Sequence, residues 1–163
     1  MNTYSLPKRK PFLLFVDDDR ITSGYYRELL EKSYQVIYCD SCDQAENFMA
    51  MGLPFAGFIF DMMMPPPSGD SSNSTDDGML SGVFLSKLAM KNYSTAPVFI
   101  LSNRPEPDFR DAMKELPKTF YSRKISHPPE KFEDFVKSRI QIESSHVIDR
   151  YTPNDNSSTT GDL

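Results

Sequence analysis

Phe12-Leu13-Leu14-Phe15-Val16 runs directly into Asp17-Asp18-Asp19, and the apolar stretch Phe55 to Phe60 runs directly into Asp61. Two further stretches end in the same manner, Pro97 to Leu101 at Ser102 and Thr119-Phe120-Tyr121 shortly before Lys124. Carboxylates gathered at separations of roughly 4 Å repel by about 4 kcal/mol per pair at an effective dielectric of about 20. A hard divalent cation relieves that repulsion, and magnesium accepts oxygen ligands while keeping several of its waters. Such an ion neutralises an incoming phosphoryl group, a carboxylate can itself be the nucleophile, and a lysine and a hydroxyl can hold the remaining phosphoryl oxygens. Asp17, Asp18, Asp61, Ser102 and Lys124 have the residue types for those roles.

These residues work together only if the fold brings the strand ends to one edge. The continuous apolar runs at 12–16, 55–60 and 97–101 read as strands buried on both faces. Tyr34 to Tyr38 and Thr119 to Tyr121 add two shorter strands. Between them lie helical patterns: Ile21 to Lys32, with Ile21, Tyr25 and Leu29 on one face; Asp43 to Met51, with Ala45, Phe48 and Met49 inward; Ser81 to Lys91; Asp108 to Glu115; and Pro129 to Ile142. Five strands alternating with five helices predict one α/β domain, a doubly wound five-stranded parallel sheet with helices on both faces. In that architecture ligands gather outside the C-terminal strand ends at the switch point of the topology, where the polar residues above are expected. The domain is expected over 11–143, after an arm at 1–10 and before a polar tail at 144–163. Residues 66–78, rich in Ser, Asp and Gly, read as a flexible surface insertion.

Composition narrows the functional classes. The apolar share is 39%, the charged share 25% and the formal net charge −5. The acidic balance and the lack of a basic stripe beyond Lys8-Arg9-Lys10 argue against nucleic-acid binding. No run approaches the roughly 18 apolar residues of a membrane span, and Phe12 to Val16 is too short for a signal core, so a cytoplasmic protein with no membrane partner is expected. Cys39 and Cys42 form a Cys-x-x-Cys pair, but no second pair stands near, and His127 and His146 lie far downstream; they read as unrelated thiols. The Met62-Met63-Met64 triplet, lacking neighbouring His or Cys, reads as packing and not as a soft-metal site.

On Phe15-Val16-Asp17-Asp18-Asp19, Phe58-Ile59-Phe60-Asp61-Met62-Met63-Met64-Pro65, Ile100-Leu101-Ser102 and Tyr121-Ser122-Arg123-Lys124, the chain resembles the receiver domains of two-component response regulators. The resemblance covers roughly 11–143. It implies that Asp61 is the phosphoacceptor, that Asp17 and Asp18 hold Mg2+ with Asp61, and that the Met63 carbonyl completes the metal shell. It further implies Ser102 as the switch hydroxyl, Tyr121 as an aromatic that changes rotamer with phosphorylation, and Lys124 as the family's lysine. The donor is then a histidine kinase or phosphotransfer protein, and the output a phosphorylation-switched contact with a downstream protein. The chain is not an enzyme in this reading, beyond catalysing its own phosphorylation and dephosphorylation, and it has no output domain of its own. The resemblance also makes Met63 and Arg104, two beyond the acceptor and the switch hydroxyl, determinants of phosphoryl lifetime.

Three departures qualify the match. Ile125 follows Lys124 where the family has proline, Asn103 follows Ser102 where a small residue is usual, and the loop after Pro65 is longer by about ten residues. They keep open a pseudo-receiver that acts as a phosphate-independent interaction module. A second alternative, a haloacid-dehalogenase-like phosphatase, takes Asp17 as nucleophile and Asp19 as general acid, but leaves Asp61 without a role. Asp19 otherwise reads as a cap for the first helix.

Overall fold

The computed structural model describes residues 9–151, with side chains described through Gln141. The five strands are β1 (Phe12–Val16), β2 (Gln35–Cys39), β3 (Phe55–Phe60), β4 (Val98–Ser102) and β5 (Thr119–Arg123). The helices are α1 (Arg20–Leu30), α2 (Cys42–Ala50), α3 (Ser81–Asn92), α4 (Arg110–Met113) and α5 (Pro129–Tyr151). The strands form one sheet in the order β2-β1-β3-β4-β5, with every pairing parallel. The predicted doubly wound architecture is therefore the one observed. The order reverses between β1 and β3, the two strands that run into Asp17 and Asp61.

Period-two alternation along the buried strands sorts the core into two layers. Leu13 and Phe15 of β1 face a layer with Tyr26 and Leu30 of α1 and Phe132, Val136 and Ile140 of α5. Leu14 and Val16 face the opposite layer, with Ala45 and Met49 of α2, Val83, Leu85 and Ala89 of α3, and Phe109 beside α4. Phe99, on the first of these layers, stacks edge-on against Phe132 and Phe135 at 6.2 and 5.7 Å. The layers press on both faces of the sheet and leave its C-terminal edge to the polar residues.

Four expectations need correction. The inward face of α1 is Ser23, Tyr26 and Leu30; Ile21 and Tyr25, expected inside, are 80% and 63% exposed. The sequence offers two apolar stripes one residue apart, and the one that meets α5 is the one carrying Tyr26. The helix expected over 108–115 is broken: a single 3-10 turn (Glu106–Asp108) precedes the four-residue α4. Pro105 and Pro107 account for this, because proline removes an amide donor and disfavours helical geometry in the residue before it. Helix α5 continues to Tyr151, nine residues past Ile142 where its expected span ends. No Pro or Gly interrupts 143–151, and the next proline is Pro153; the rest of the expected tail, like residues 1–8 of the arm, lies outside the described residues.

The fourth correction concerns the insertion. It contains no helix or strand, but it is knitted together internally. The Asp70 carboxylate accepts hydrogen bonds from the Ser72 hydroxyl (2.9 Å), the Ser74 amide (3.2 Å) and hydroxyl (3.1 Å), and the Thr75 hydroxyl (3.4 Å). Thr75 is buried and accepts from the Gly78 amide at 3.2 Å. Ser68 bonds through its amide (2.9 Å) and hydroxyl (2.8 Å) to Asp43 at the start of α2. The loop closes at its base, where the Met64 amide donates to the Gly78 carbonyl (3.2 Å) and the Ser81 hydroxyl donates to the Met64 carbonyl (2.7 Å). Short Ser, Asp and Thr side chains form such local turns without a hydrophobic core, which composition alone does not reveal.

Candidate functional site

The sheet ladder continues one residue beyond the strands and fixes the backbone of the site. The Asp17 amide donates to the Cys39 carbonyl (3.1 Å), the Asp61 amide to the Val16 carbonyl (2.9 Å), and the Lys124 amide to the Ser102 carbonyl (3.0 Å). Asp17, Asp61, Ser102 and Lys124 are thus held at the same edge by main-chain bonds. Carboxylate oxygens of Asp17, Asp18 and Asp61 lie within 4.8 Å of one another. Asp17 is buried, and Asp18 is exposed at the mouth of the cluster.

The side chains interlock around a single cation. Lys124 Nζ donates to Asp17 Oδ2 at 2.7 Å and lies 3.8 Å from Asp61 Oδ2. The other oxygen of Asp17 accepts from the Asp19 amide (2.8 Å), and Asp61 Oδ1 accepts from the Met62 amide (2.8 Å). Burial raises the Asp61 carboxyl most, Lys124 works against that rise, Asp17 adds to it, and the Ser102 hydroxyl lowers it; the outcome is a pKa pushed up to about 6. Asp17 is likewise raised by burial, with Lys124 opposing. For Lys124 burial acts to lower the ammonium pKa, but the charges of Asp61 and Asp17 outweigh it and the net shift is upward. Three acids against one buried ammonium leave excess negative charge. Hard oxygen donors in this number, with one exposed member, suit a magnesium ion that keeps part of its water shell.

Asp19 stands apart from the cluster. Its Oδ1 accepts from the Ile21 and Thr22 amides at 3.2 and 3.0 Å, capping α1, and hydrogen bonding from Thr22 lowers its pKa. Met63 is held between two bonded neighbours: the Met62 carbonyl accepts from the Gly82 amide (3.0 Å), and Met64 bonds to Gly78 and Ser81. Gly82 is required there, since a Cβ would stand 2.6 Å from the Asp61 carbonyl oxygen and 2.9 Å from the Met62 Cα. Tyr121 donates its hydroxyl to the Arg104 carbonyl (2.6 Å) and packs edge-on against Phe109.

Two positioning residues escaped the sequence reading. Tyr26, buried on α1, has its hydroxyl 3.1 Å from the Lys124 carbonyl and 2.9 Å from the His127 carbonyl, so it pins the loop that Ile125 leaves without a proline. Tyr38 on β2 hydrogen-bonds the Asp17 carbonyl. Both read as ordinary core aromatics until the crossovers bring their hydroxyls to the sheet edge. Cys39 and Cys42 lie in the core beside α2, unpaired, with burial pushing the thiols up to about 12 and about 11. They fit the reading as unrelated thiols, and burial of this kind makes a thiol unreactive.

No family model matches the chain, and no curated protein matches it by sequence. Solved structures do match. A signal receiver domain of an HD domain-containing protein from Pseudomonas fluorescens Pf-5 superposes with a TM-score of 0.69 at 14% identity, covering 90% of this chain and 98% of that one. The chain has the receiver-domain fold. A response regulator receiver protein from Sinorhizobium medicae WSM419 gives a TM-score of 0.67 at 15% identity, over 82% of this chain and 97% of that one. A BeF3-activated DrrB receiver domain gives 0.62 at 18% identity, over 81% and 98%. At these identities the likeness carries the fold. The chemistry of this receiver fold rests on its own residues.

Proposed function

We propose that the chain is a phosphoacceptor response regulator that takes a phosphoryl group from a phosphohistidine onto Asp61. The observation that carries this reading is the Asp17-Asp18-Asp61 cluster at the sheet's switch point, with Lys124 Nζ 3.8 Å from Asp61 Oδ2 and Ser102 at the neighbouring strand end, where its hydroxyl favours the ionised carboxylate. An oxygen of Asp61 attacks phosphorus, the P–N bond to the donor imidazole breaks, and the imidazole leaves as the neutral ring after taking up a proton. Asp17, Asp18 and Asp61, with the Met63 carbonyl, would hold Mg2+, which would neutralise phosphoryl charge when bound. Lys124 and Ser102 bind phosphoryl oxygens, and the ladder bonds keep all of them oriented without reorganisation during transfer.

The reaction selects the ionised form of Asp61. With its pKa pushed up to about 6, the apo carboxyl is largely ionised at neutral pH but retains proton affinity, and a bound cation draws it further toward the anion. Ser102 and Tyr121 form the switch: engaging the phosphoryl group draws on the Ser102 hydroxyl, which also accepts from the Arg104 amide at 3.3 Å, while Tyr121 bonds the carbonyl of the same residue. Signalling then proceeds through a protein partner that distinguishes the two surface states, in the cytoplasm and without nucleic acid or membrane.

The geometry weighs against a phosphatase that uses Asp17 as nucleophile. The Asp17 side chain is fully buried against Lys124 whereas that of Asp61 keeps 13% exposure, and Asp19, the general acid of that scheme, is committed to capping α1. The test is titration with beryllofluoride and Mg2+ followed by amide NMR. Shifts centred on Met62, Ser102 and Lys124 that vanish in Asp61→Asn are expected; shifts that survive in Asp61→Asn and vanish in Asp17→Asn would place the acceptor at Asp17.

A further inference from the structure

Arg104, in the loop after β4, joins four parts of the molecule. Its amide donates to Ser102 Oγ at 3.3 Å, and its carbonyl accepts from the Tyr121 hydroxyl at 2.6 Å. Its Nη1 donates to the Met79 carbonyl at 2.9 Å, and its Nε stands 3.5 Å from Asp108 Oδ2. The guanidinium lies 5.9 Å from the centroid of Phe109, whose ring packs 5.3 Å from that of Tyr121. Only 18% of the Arg104 side chain is exposed, and its charge-assisted bond to Met79 lies at the exposed end of the side chain.

Met79 closes the insertion that follows Asp61. Its amide bonds to the Asp76 carbonyl (3.0 Å), and the next amide, Leu80, bonds to the Thr75 carbonyl (2.8 Å). Thr75 in turn is held by Asp70, which organises the outer turns of the segment. A passive insertion needs closure only at its own base, which the Met64 and Gly78 bonds already provide. The Arg104 bridge ties it a second time, across the site, to the loop that carries Ser102.

We propose that Arg104 is a positioning residue coupling the 65–80 segment to Ser102 and Tyr121. The segment restrains the loop after β4, and a change at Ser102 is felt in the turns at Thr75 to Leu80. By linkage the effect is equal in both directions: whatever stabilises one arrangement of the segment favours the matching arrangement of the switch residues. The coupling belongs to the fold; its use in signalling rests on the reading of Asp61 as phosphoacceptor, and makes the insertion part of the surface that reports the phosphoryl state.

The test is a double-substitution cycle on the full chain, free of ligand, by NMR. Asp70→Ala loosens the outer turns without touching Ser102 or Tyr121. Arg104→Met keeps an unbranched stem against Phe109 and removes the donors to Met79. On the wild-type background, Asp70→Ala is expected to shift the Tyr121 ring signals and to speed exchange of the residue-104 amide by about fivefold, the lower end of typical coupling strengths. On the Arg104→Met background the same substitution is expected to leave both unchanged. Two results overturn the proposal: segment signals that move in Asp70→Ala while Tyr121 and residue 104 do not, or an effect at Tyr121 that persists without the arginine. In a second arm, beryllofluoride and Mg2+ should perturb Met79 and Leu80 as well as Met62 and Ser102, and only the latter pair in Arg104→Met. Silence at Met62 contradicts the phosphoacceptor reading, whereas the ligand-free cycle decides the coupling in either event.

Discussion

Replacing the proposed acceptor with its neutral isostere should make the magnesium-free protein more stable at neutral pH. Asp61 is buried, and its carboxyl is pushed up to about 6 from an ordinary 3.8 chiefly by that burial. A rise of about two pH units at about 1.36 kcal/mol each puts the penalty for ionising this one group in the fold at about 3 kcal/mol. The sign follows from proton linkage: the folded state binds this proton more tightly than the unfolded state. Stability contributed by the group is therefore full below about pH 4 and is lost as pH rises through about 6. Asp61→Asn has nearly the same shape and no charge, so it escapes the loss. It also gives up the attraction of Lys124, which keeps Asp17 as a partner at 2.7 Å. The net gain expected at about pH 7 is between about 1 and 3 kcal/mol. Urea unfolding of both proteins in a chelator, at about pH 7 and about pH 4.5, measures it. The difference between them should be large at the higher pH and shrink toward the lower, and Mg2+ should close it by stabilising the wild type alone. A difference that does not change with pH, or an Asp61→Asn protein less stable at pH 7, would refute the electrostatic reasoning.

Other consequences follow from the same geometry. Lys124→Met leaves Asp17 buried without its cation and should destabilise the protein by about 3 kcal/mol at neutral pH, less under acid where the carboxyls take up protons; denaturant midpoints at two pH values check this. Tyr26→Phe removes the hydroxyl that holds the Lys124 and His127 carbonyls and should cost about 1 kcal/mol while moving the Lys124 signals in NMR spectra. Gly82→Ala drives a Cβ to 2.6 Å from the Asp61 carbonyl oxygen, so it should cost upward of about 2 kcal/mol or displace Asp61, read as lost Mg2+ binding in isothermal titration. Cys39 and Cys42, buried and with thiols pushed up to about 12 and about 11, should resist alkylation at neutral pH until the chain is unfolded, as mass spectrometry can follow.

The sheet and its edge were legible because the information is local. Three fully apolar runs, each closed by an acid or a hydroxyl, announce buried parallel strands and the side on which Asp17, Asp61 and Ser102 emerge. Helix faces were less legible: Ile21 and Tyr25 fit the same periodicity as Tyr26 and Leu30, and only the packing of α5 chooses between them. The order inside 66–78 was hidden for a different reason. Its turns rest on Asp70 and Thr75 bonding to nearby backbone and hydroxyls, and the same composition serves a structureless loop equally well. Tyr26, Tyr38 and Arg104 act through partners brought close by the crossovers, the most distant being His127, 101 residues from Tyr26. No spacing rule connects such pairs before the topology is known.

The central claim is that Asp61 accepts a phosphoryl group, and intact-mass spectrometry tests it directly. Incubation with acetyl phosphate and Mg2+ should add the mass of one phosphoryl group to the wild type, and the adduct should be lost in hydroxylamine, as an acyl phosphate is. Neither Asp61→Asn nor the wild type in chelator should gain it. A wild type that gains no mass while it binds Mg2+, or an Asp61→Asn protein that gains the same mass, would contradict the account.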